Sequence, residues 1–437
     1  MCSKHVIILF LLLGANSSTF VSNPAVTLLQ EYLQINTVTH SDLSPAVLFW
    51  KRLAFDEGIP CEVNEFEFGY PVVVMTFEGK QPKLRTIMLN SHMDVVAAEQ
   101  KDGWTYPPFF GYVTSRGEIW GRGAQDMKSV SIQQFMALQR LKSKGLLVRT
   151  VYMTIMPDEE TGGENGMSKF VISKVFADMN VGFDLDEGSP YPLPVIPVFY
   201  QDKVLWLVRV DCYNTPTDSL FPETNLTAFG KCNKVTNMLL QFRDNQHRLS
   251  QSAPFGNSGT FTAININYVD GGSETAMSNQ VSLIFEIRLA VNVEEEKFQS
   301  QLEDWITSAG DNISISYLVK HTQSPATLID DKNPYWRAIE DTAKEMNFHV
   351  VPVIPTSSTD ARIVRDAGIP AFGFSPMPET EFLLHAVDER LNVNTFIKGI
   401  SIYETLVQKL SNIPESELAE YSDAYIVRTV PGNKTRN

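Results

Sequence analysis

The stretch Asn90-Ser91-His92-Met93-Asp94-Val95-Val96 places a histidine two residues before an aspartate. The run Thr86-Ile87-Met88-Leu89 precedes it and predicts a buried strand that ends near the histidine. Residues i and i+2 of a strand point the same way, so a rigid strand end presents both side chains together. A histidine that binds a metal usually has such a carboxylate partner. An isolated pair of this kind is more often a structural hydrogen bond, so the rest of the chain must decide.

Length and charge restrict the class of protein. The chain has 437 residues, of which 43% are hydrophobic, and this is enough for about two domains. Its formal net charge of −15 argues against nucleic acid and anionic lipid as partners. Acidic residues that recur in apolar surroundings suit a divalent cation instead.

The N-terminus resembles a secretory signal peptide. A short charged start is followed by an aliphatic run over Val6–Leu13 and then by small polar residues, so we predict that residues 1–20 are removed. The run is too short for an ordinary membrane span, and a signal anchor is the alternative. We therefore expect a secreted or luminal protein that makes no membrane contact after signal removal.

Cysteines and glycosylation sequons are compatible with that compartment. Cys61, Cys212 and Cys232 remain after signal removal, and the spacing alone leaves open whether the last two pair. Glycosylation sequons, which are only permissive, begin at Asn16, Asn225, Asn312 and Asn433.

Further strands end in carboxylates. The strand predicted over Thr150–Met156 runs into Pro157-Asp158-Glu159-Glu160-Thr161-Gly162-Gly163, and the one that begins at Val181 ends in Asp186-Glu187. Asp126 precedes a predicted helix, where a negative charge also favours the helix dipole. Alternation of strands and helices predicts a mostly parallel sheet, whose ligands bind beyond the carboxyl ends of the strands. These side chains are therefore expected to share one crevice.

The fold class predicted is α/β, a mostly parallel sheet with helices on both faces, interrupted by a smaller α+β domain. The strand–helix–strand–strand pattern after about Val198 carries the second part of that prediction. The expected boundaries are a discontinuous catalytic domain at 21–198 and 311–413, an inserted lid or dimerisation domain at 199–310 and a polar tail at 414–437.

The collected polar side chains suit a two-metal site. The candidate ligands are His92, Asp126, Glu160, Glu187 and His385, with Asp94 and Glu159 beside them. Nitrogen and oxygen ligands with one shared carboxylate suit two divalent ions, and the imidazoles favour zinc. A glutamate next to a ligand glutamate is well placed to act as a general base.

In order along the chain, several motifs resemble the aminoacylase-1 branch of the dinuclear zinc amidohydrolases and peptidases, the group of carboxypeptidase G. The matching stretches are Asn90–Val96, Arg122–Lys128, Met156–Gly163, Leu185–Gly188, Phe374–Met377 and Leu383–Arg390. The resemblance implies two Zn²⁺ per chain and hydrolysis of a small N-acyl-L-amino acid, with a dipeptide substrate (metallo-dipeptidase or carboxypeptidase) as the alternative. It also implies a homodimer formed through the lid.

The resemblance assigns a role to each candidate. His92 and Glu187 hold one zinc, Glu160 and His385 hold the other, and Asp126 bridges them. Asp94 orients His92, and Glu159 is the general base. The family pattern favours Glu187 over its neighbour Asp186 as the ligand. Arg288 and Arg362 are expected to bind the substrate carboxylate, a task that suits the guanidinium fork.

Two lid motifs depart from the family pattern. The position of a family histidine that steadies the oxyanion holds Thr217, within Pro216-Thr217-Asp218-Ser219. A segment that usually reads Asn-Val-Ile-Pro is Ala276-Met277-Ser278-Asn279. Loss of one such donor costs about 10²–10³ in rate. A catalytically impaired metal-binding paralogue is therefore a further alternative.

Overall fold

The computed structural model describes residues 23–216, 221–252, 257–272 and 277–421. Their described parts form two compact units. The first unit runs through Tyr200 and also contains Ala326–Pro352 and the described residues from Thr359 onward. The second contains Gln201–Pro325 and Val353–Ser358. The predicted signal peptide, Thr217, Asn16 and the sequon at Asn433 lie outside the described residues.

The helices of the described chain are α1 Pro24–Leu33, α2 Ser44–Asp56, α3 Lys128–Lys144, α4 Met167–Val171, α5 Lys174–Met179, α6 Ala228–Gln251, α7 Glu295–Thr307, α8 Pro334–Met346, α9 Ala361–Asp366 and α10 Val393–Ser411. The strands are β1 Cys61–Glu65, β2 Pro71–Phe77, β3 Thr86–His92, β4 Tyr112–Val113, β5 Glu118–Trp120, β6 Val151–Met156, β7 Val181–Asp186, β8 Val195–Phe199, β9 Val204–Tyr213, β10 Ala263–Asp270, β11 Gln280–Leu289, β12 Ile313–Lys320, β13 His349–Val353, β14 Ala371–Phe374 and β15 Arg390–Asn392.

The first unit is built on an eight-stranded sheet of order β1-β2-β6-β3-β7-β14-β8-β13. Its centre is parallel, because β3 pairs in parallel with both β6 and β7, and β7 with β14. Antiparallel pairs β1–β2, β2–β6 and β14–β8 flank this centre. The predicted α/β fold class is thereby confirmed, with antiparallel strands added on both sides of the parallel core.

Helices cover both faces of this sheet. Ile87 and Leu89 of β3 belong to the larger apolar core, which also contains buried residues of α1, α2, α3, α8 and α10. Met88 points the other way, into a second core with residues of α4, α5 and α9. Continuous burial of β3 is the pattern of a central parallel strand. The sheet is therefore rigid where its strand ends carry the candidate ligands.

The second unit is a four-stranded antiparallel sheet of order β10-β11-β9-β12 with its own apolar core. Because β12 pairs along β9, the unit extends to Pro325 and the predicted boundary at 310 is wrong. In the sequence, the alternating pattern of Ile313–Lys320 predicts a strand but does not indicate which of the two sheets contains it. Cys212 of β9 and Cys232 of α6 form a disulfide with 5.9 Å between their Cα atoms, which answers the open pairing question.

The polar tail predicted at 414–437 is ordered and packed in its first part. Beyond the ten helices named above, residues 415–421 are also helical, and Leu418 and Tyr421 are buried in the larger core. Arg149, which is fully buried, donates through Nη2 to the carbonyl of Ile413 at 2.7 Å and lies 2.8 Å from Glu415. Two apolar residues in a polar stretch are enough to dock it, whereas residues from 422 onward lie outside the described chain.

Candidate metal centre

The carboxyl ends of three adjacent parallel strands supply the first group of side chains. His92 is the last residue of β3, Glu187 directly follows β7, and Glu159 lies in a short turn after β6. Nε2 of His92 lies 3.3 Å from a carboxylate oxygen of Glu187 and 3.9 Å from one of Glu159. The side chains of His92 and Glu187 are both buried. The expectation that strand ends share one crevice is met by these distances.

Asp126 joins this group to a second one. Its Oδ1 lies 3.1 Å from Nε2 of His92, and its Oδ2 lies 3.2 Å from Nε2 of His385. The same nitrogen of His385 is 2.9 Å from Oε2 of Glu160. The two oxygens of one carboxylate thus face different imidazoles, which is the arrangement that a bridging ligand between two ions requires. The structure brings together every side chain predicted as a ligand.

Asp94 performs two tasks with different atoms. Its backbone carbonyl is 2.9 Å from Nδ1 of His92, whereas its carboxylate is 3.6 Å away from that nitrogen. A proton on Nδ1 that is donated to the carbonyl leaves the Nε2 lone pair free to face the site. The carboxylate instead accepts the backbone N–H groups of Glu159 and Glu160, each at 3.2 Å. Asp94 thus contacts His92 as predicted, but through its backbone carbonyl, while its carboxylate chiefly holds the glutamate turn.

The electrostatics of the site are those of crowded carboxylates. Burial and the charge of Asp126 raise the pKa of Glu160 to about 7. Burial raises the pKa of Glu187 to about 8, and it raises that of Glu159 well above the ordinary value with the charge of Glu187 adding to the effect. Hydrogen bonds with Asp126 and Glu160 raise the pKa of His385 to about 10. Like charges thus stay together only by keeping protons or by gaining a cation.

The donor set fits divalent metal ions. Two sets of three residues have ligand atoms within 4.8 Å of one another, namely His92 with Glu159 and Glu187, and His92 with Asp126 and Glu160. Oε1 of Glu160 is buried without a hydrogen-bond partner in the described structure. Buried polar atoms normally have partners. An orphaned carboxylate oxygen amid imidazoles and carboxylates is the chemistry that a cation satisfies.

The two arginines expected to bind the substrate lie in different units. Arg362 lies in α9, is largely buried, and donates through Nη2 to the carbonyl of Gly162 in the glutamate turn. Arg288 lies on β11 of the second unit, where it bonds Glu286 at 2.6 Å and the Ser358 hydroxyl at 2.7 Å. Arg362 is therefore in direct contact with the segment that carries Glu159.

Glu389 and Gln125 are site residues that the sequence reasoning missed. The carboxylate of Glu389 accepts the backbone N–H of Asp126 at 3.1 Å. The side chain of Gln125 spans from the loop of Asp126 to the loop of His385, where it accepts the N–H of Leu383 at 3.0 Å. Both residues fall within motifs already noted. The signal available was that charged residues such as Arg122 and Glu389 in short buried motifs need partners.

The comparisons identify the family. The model of peptidase family M20/M25/M40 matches residues 88–409, and the chain belongs to this family. Aminoacylase-1 of Homo sapiens is 40% identical over 396 residues, which cover 90% of this chain and 96% of that protein. Aminoacylase-1 of Dictyostelium discoideum is 34% identical over 407 residues, covering 90% and 98%. The resemblance to the aminoacylase-1 branch is confirmed, and the chain is a hydrolase that acts on amides.

Solved structures agree on the fold. An M20 family metallo-carboxypeptidase, Sso-CP2 from Sulfolobus solfataricus, has a TM-score of 0.71 at 16% identity, covering 90% of this chain and 100% of that one. A Bacillus subtilis protein described as a dinuclear metal binding peptidase from the M20 family has a TM-score of 0.63 at 13% identity, covering 90% and 99%. In the described residues, none of the helices is both long and apolar enough to cross a membrane.

Proposed function

We propose that this protein hydrolyses the amide bond of N-acyl-L-amino acids with two zinc ions, releasing a carboxylate and an L-amino acid. The observation that carries the proposal is the placement of Asp126, with one oxygen facing His92 and the other facing His385. The similarity to aminoacylase-1 over most of the chain supports the substrate class. Imidazole ligands beside carboxylates favour zinc among divalent ions.

The distances support the ligand assignment that the family resemblance implies. His92 and Glu187 would hold one ion, His385 and Glu160 the other, and Asp126 both. When bound, the ions would polarise the substrate carbonyl and lower the pKa of the attacking water.

Glu159 would act as the general base. It is not paired with either imidazole at hydrogen-bond distance, since its nearest carboxylate oxygen is 3.9 Å from His92. The base takes a proton from the water while the water oxygen bonds to the acyl carbon. It then gives that proton to the amide nitrogen as the carbon–nitrogen bond breaks, so the amino acid leaves as a free amine. The carboxylate of Asp94 holds the backbone of this base in place.

We assign recognition of the substrate carboxylate to Arg362 of the first unit, and the same role for Arg288 of the second unit rests on the family resemblance alone. A guanidinium has five N–H donors, so Arg362 can bind a carboxylate and retain its bond to Gly162. Arg288 has donors engaged with Glu286 and Ser358, and a substrate carboxylate would compete with the first of these.

The lid departures support a rival function, a metal-binding protein with impaired turnover. Thr217 stands where the family has a histidine and lies outside the described residues. Asn279 is bonded to Asn214, which donates through its backbone N–H to the Asn279 carbonyl at 3.0 Å. Its side-chain oxygen also accepts from the Asn214 amide at 3.3 Å. Asn279 is therefore engaged in hydrogen bonds that join the ends of β9 and β11.

A substrate panel separates these functions. Metal-loaded full-length protein is offered N-acetyl-L-methionine, the corresponding N-acyl-D-amino acid and an unblocked dipeptide, and release of free amino acid is measured. The proposal expects turnover of the first substrate and near-complete loss of that turnover in Glu159→Gln. Glu164→Gln is the control and should lose no activity, because Glu164 is an exposed glutamate of the same segment. Turnover of the dipeptide alone would favour the peptidase alternative. Absence of turnover with two ions bound would favour the impaired paralogue.

We also propose that the protein enters the secretory pathway. The Cys212–Cys232 disulfide is consistent with an oxidising compartment. Asn225 and Asn312, which begin two sequons, are exposed. Expression of the full chain in cells with a secretory pathway, followed by removal of N-glycans, tests the proposal. A protein retained in the cytosol without a mobility shift would contradict it.

Homodimerisation through the second unit is proposed from the family resemblance. β10 is an edge strand of its sheet, and Tyr268 and Val269 at its end are exposed. An exposed apolar edge is suited to pairing with another chain. Light scattering of the full chain is expected to give twice the monomer mass, and a monomer at micromolar concentration would contradict the proposal.

A further inference from the structure

Glu389 lies at the centre of a hydrogen-bonded cluster beside the candidate site. Its side chain is fully buried directly before β15. Oε1 accepts the backbone N–H of Gln125 at 2.6 Å and that of Asp126 at 3.1 Å. Oε2 accepts the N–H of Gly123 at 3.0 Å and Nη1 of Arg122 at 2.8 Å. Four donors from one short segment thus converge on one carboxylate.

The segment that Glu389 holds has no regular secondary structure. Residues 121–127 lie between β5 and α3, and three of their backbone N–H groups, those of Gly123, Gln125 and Asp126, donate to the Glu389 carboxylate instead of to a strand or helix carbonyl. Charge-assisted hydrogen bonds to a carboxylate are about twice as strong as neutral ones. Glu389 therefore fixes the backbone of Asp126 at the residue whose side chain faces both imidazoles.

Glu389 also belongs to the loop that carries His385. Arg122 donates to the carbonyl of Ala386 at 3.2 Å and to that of His385 at 3.4 Å. The side chain of Gln125 donates to the carbonyls of Glu381 at 2.9 Å and Arg390 at 2.8 Å. The two loops are thus docked to each other through polar bonds. His385 has a φ of 60°, a left-handed conformation that the surrounding contacts must hold in place.

The two halves of the site depend on this cluster unequally. His92 and Glu187 lie at the ends of β3 and β7, where the parallel sheet sets their positions. Asp126 serves both halves and lies on one of the docked loops. His385 of the other half also lies on a docked loop, and Glu160 is held independently, through Asp94. The second half thus takes two of its three ligands from the docked loops, and the first half takes one.

We propose that Glu389 is a positioning residue that determines the affinity of the second cation, the one between His385 and Glu160. The inference rests on the proposed two-ion site and adds an order to it. The ion at His92 and Glu187 binds to a site that the sheet has already formed. The ion at His385 and Glu160 requires the docked loops.

The test is a metal titration of the metal-free full-length chain with zinc alone, repeated with cobalt(II), in wild type and Glu389→Gln. An amide nitrogen replaces one oxygen that accepts two donors, so the loops lose part of their docking. Loss of a group that orients metal ligands typically lowers metal affinity about 10- to 100-fold. The expected result is a second dissociation constant raised by that factor, a first one raised by a smaller factor because only Asp126 of its ligands lies on the docked loops, and activity regained at excess zinc.

A matched control is Glu381→Gln, because Glu381 lies on the same loop with its side chain 65% exposed and pairs only with Arg390 among the described ion pairs. Both dissociation constants should stay unchanged in this variant. Glu389→Asp keeps the negative charge but shortens the side chain, so it should give an intermediate effect. If Glu389→Gln does not fold, Glu389→Asp takes its place in the test.

Equal weakening of both ions, or no weakening of the second, would overturn the inference. Wild type that binds two ions without turnover would count against the proposed hydrolase and leave this inference standing. Wild type that binds fewer than two ions would overturn both.

Discussion

Asp94→Asn separates the two tasks that the structure gives to this residue. The substitution keeps the shape of the side chain and leaves the backbone carbonyl that accepts from His92 in place. It replaces one carboxylate oxygen by an NH₂ group, which cannot accept an N–H. One of the two bonds at 3.2 Å, to Glu159 or to Glu160, is therefore lost.

The size of the effect follows from that single bond. A hydrogen bond to a charged group contributes about 1.5–3 kcal/mol, and each 1.36 kcal/mol corresponds to a tenfold change in rate. If the loss falls on the backbone that places the general base, kcat should drop about 10- to 150-fold. KM should change less, because the substrate carboxylate is assigned to Arg362 and Arg288. Two metal ions should still bind, since Asp94 supplies none of the facing ligand atoms.

The assay is steady-state hydrolysis of N-acetyl-L-methionine at saturating zinc, together with metal analysis of the same samples. Asp102→Asn is the control, because Asp102 is an exposed aspartate that also accepts a backbone N–H, that of Glu99 at 2.8 Å. It should leave kcat within about twofold. A kcat for Asp94→Asn close to that of wild type, or loss of one metal ion with normal turnover per remaining site, would refute this account of the glutamate turn.

Two further predictions concern pH and the disulfide. Without metal, Glu160 and Glu187 have pKa values of about 7 and 8, so both hold protons at pH 6 and must release them to bind a cation. Zinc affinity should therefore rise from pH 6 to pH 8, and zinc binding should release protons. Calorimetry at pH 7 in two buffers of different ionisation enthalpy measures this release, and equal binding heats in the two buffers would contradict the prediction. Cys232→Ser removes the disulfide to Cys212, which lies 20 residues away, and should lower the free energy of unfolding by about 2–4 kcal/mol. Cys61→Ser, which removes a free thiol, is the control and should not lower it. Equal midpoints of the two variants in non-reducing urea titrations would contradict this prediction.

Strand ends were the part of the site that sequence could predict. A buried apolar run followed by His92 or by Glu187 implies both the position and the direction of the side chain, because neighbouring parallel strands end at one edge. Asp126 and His385 lie on irregular loops, where periodicity gives no information. Asp126 was expected in the crevice from its position before a helix, and the resemblance gave both residues their roles as ligands. The structure shows the physical basis of their placement in Glu389 and Gln125.

The division of the chain shows the same limit. An alternating pattern predicts a strand at Ile313–Lys320, yet nothing local to it says which sheet it joins. Pairing with β9 is a long-range contact that only the folded chain displays. The segment after Pro414 was misread for a related reason, since Leu418 and Tyr421 are few but are both buried.

The central claim is that one carboxylate, that of Asp126, is shared by two cations. The most direct measurement is the metal content of the purified full-length chain after zinc loading and removal of free metal, for wild type and Asp126→Ala. The account predicts two zinc ions per wild-type chain and a loss of tight binding at both positions in the variant, because each half contributes an oxygen of the same residue. Fewer than one ion per wild-type chain, or two ions retained in Asp126→Ala, would contradict it.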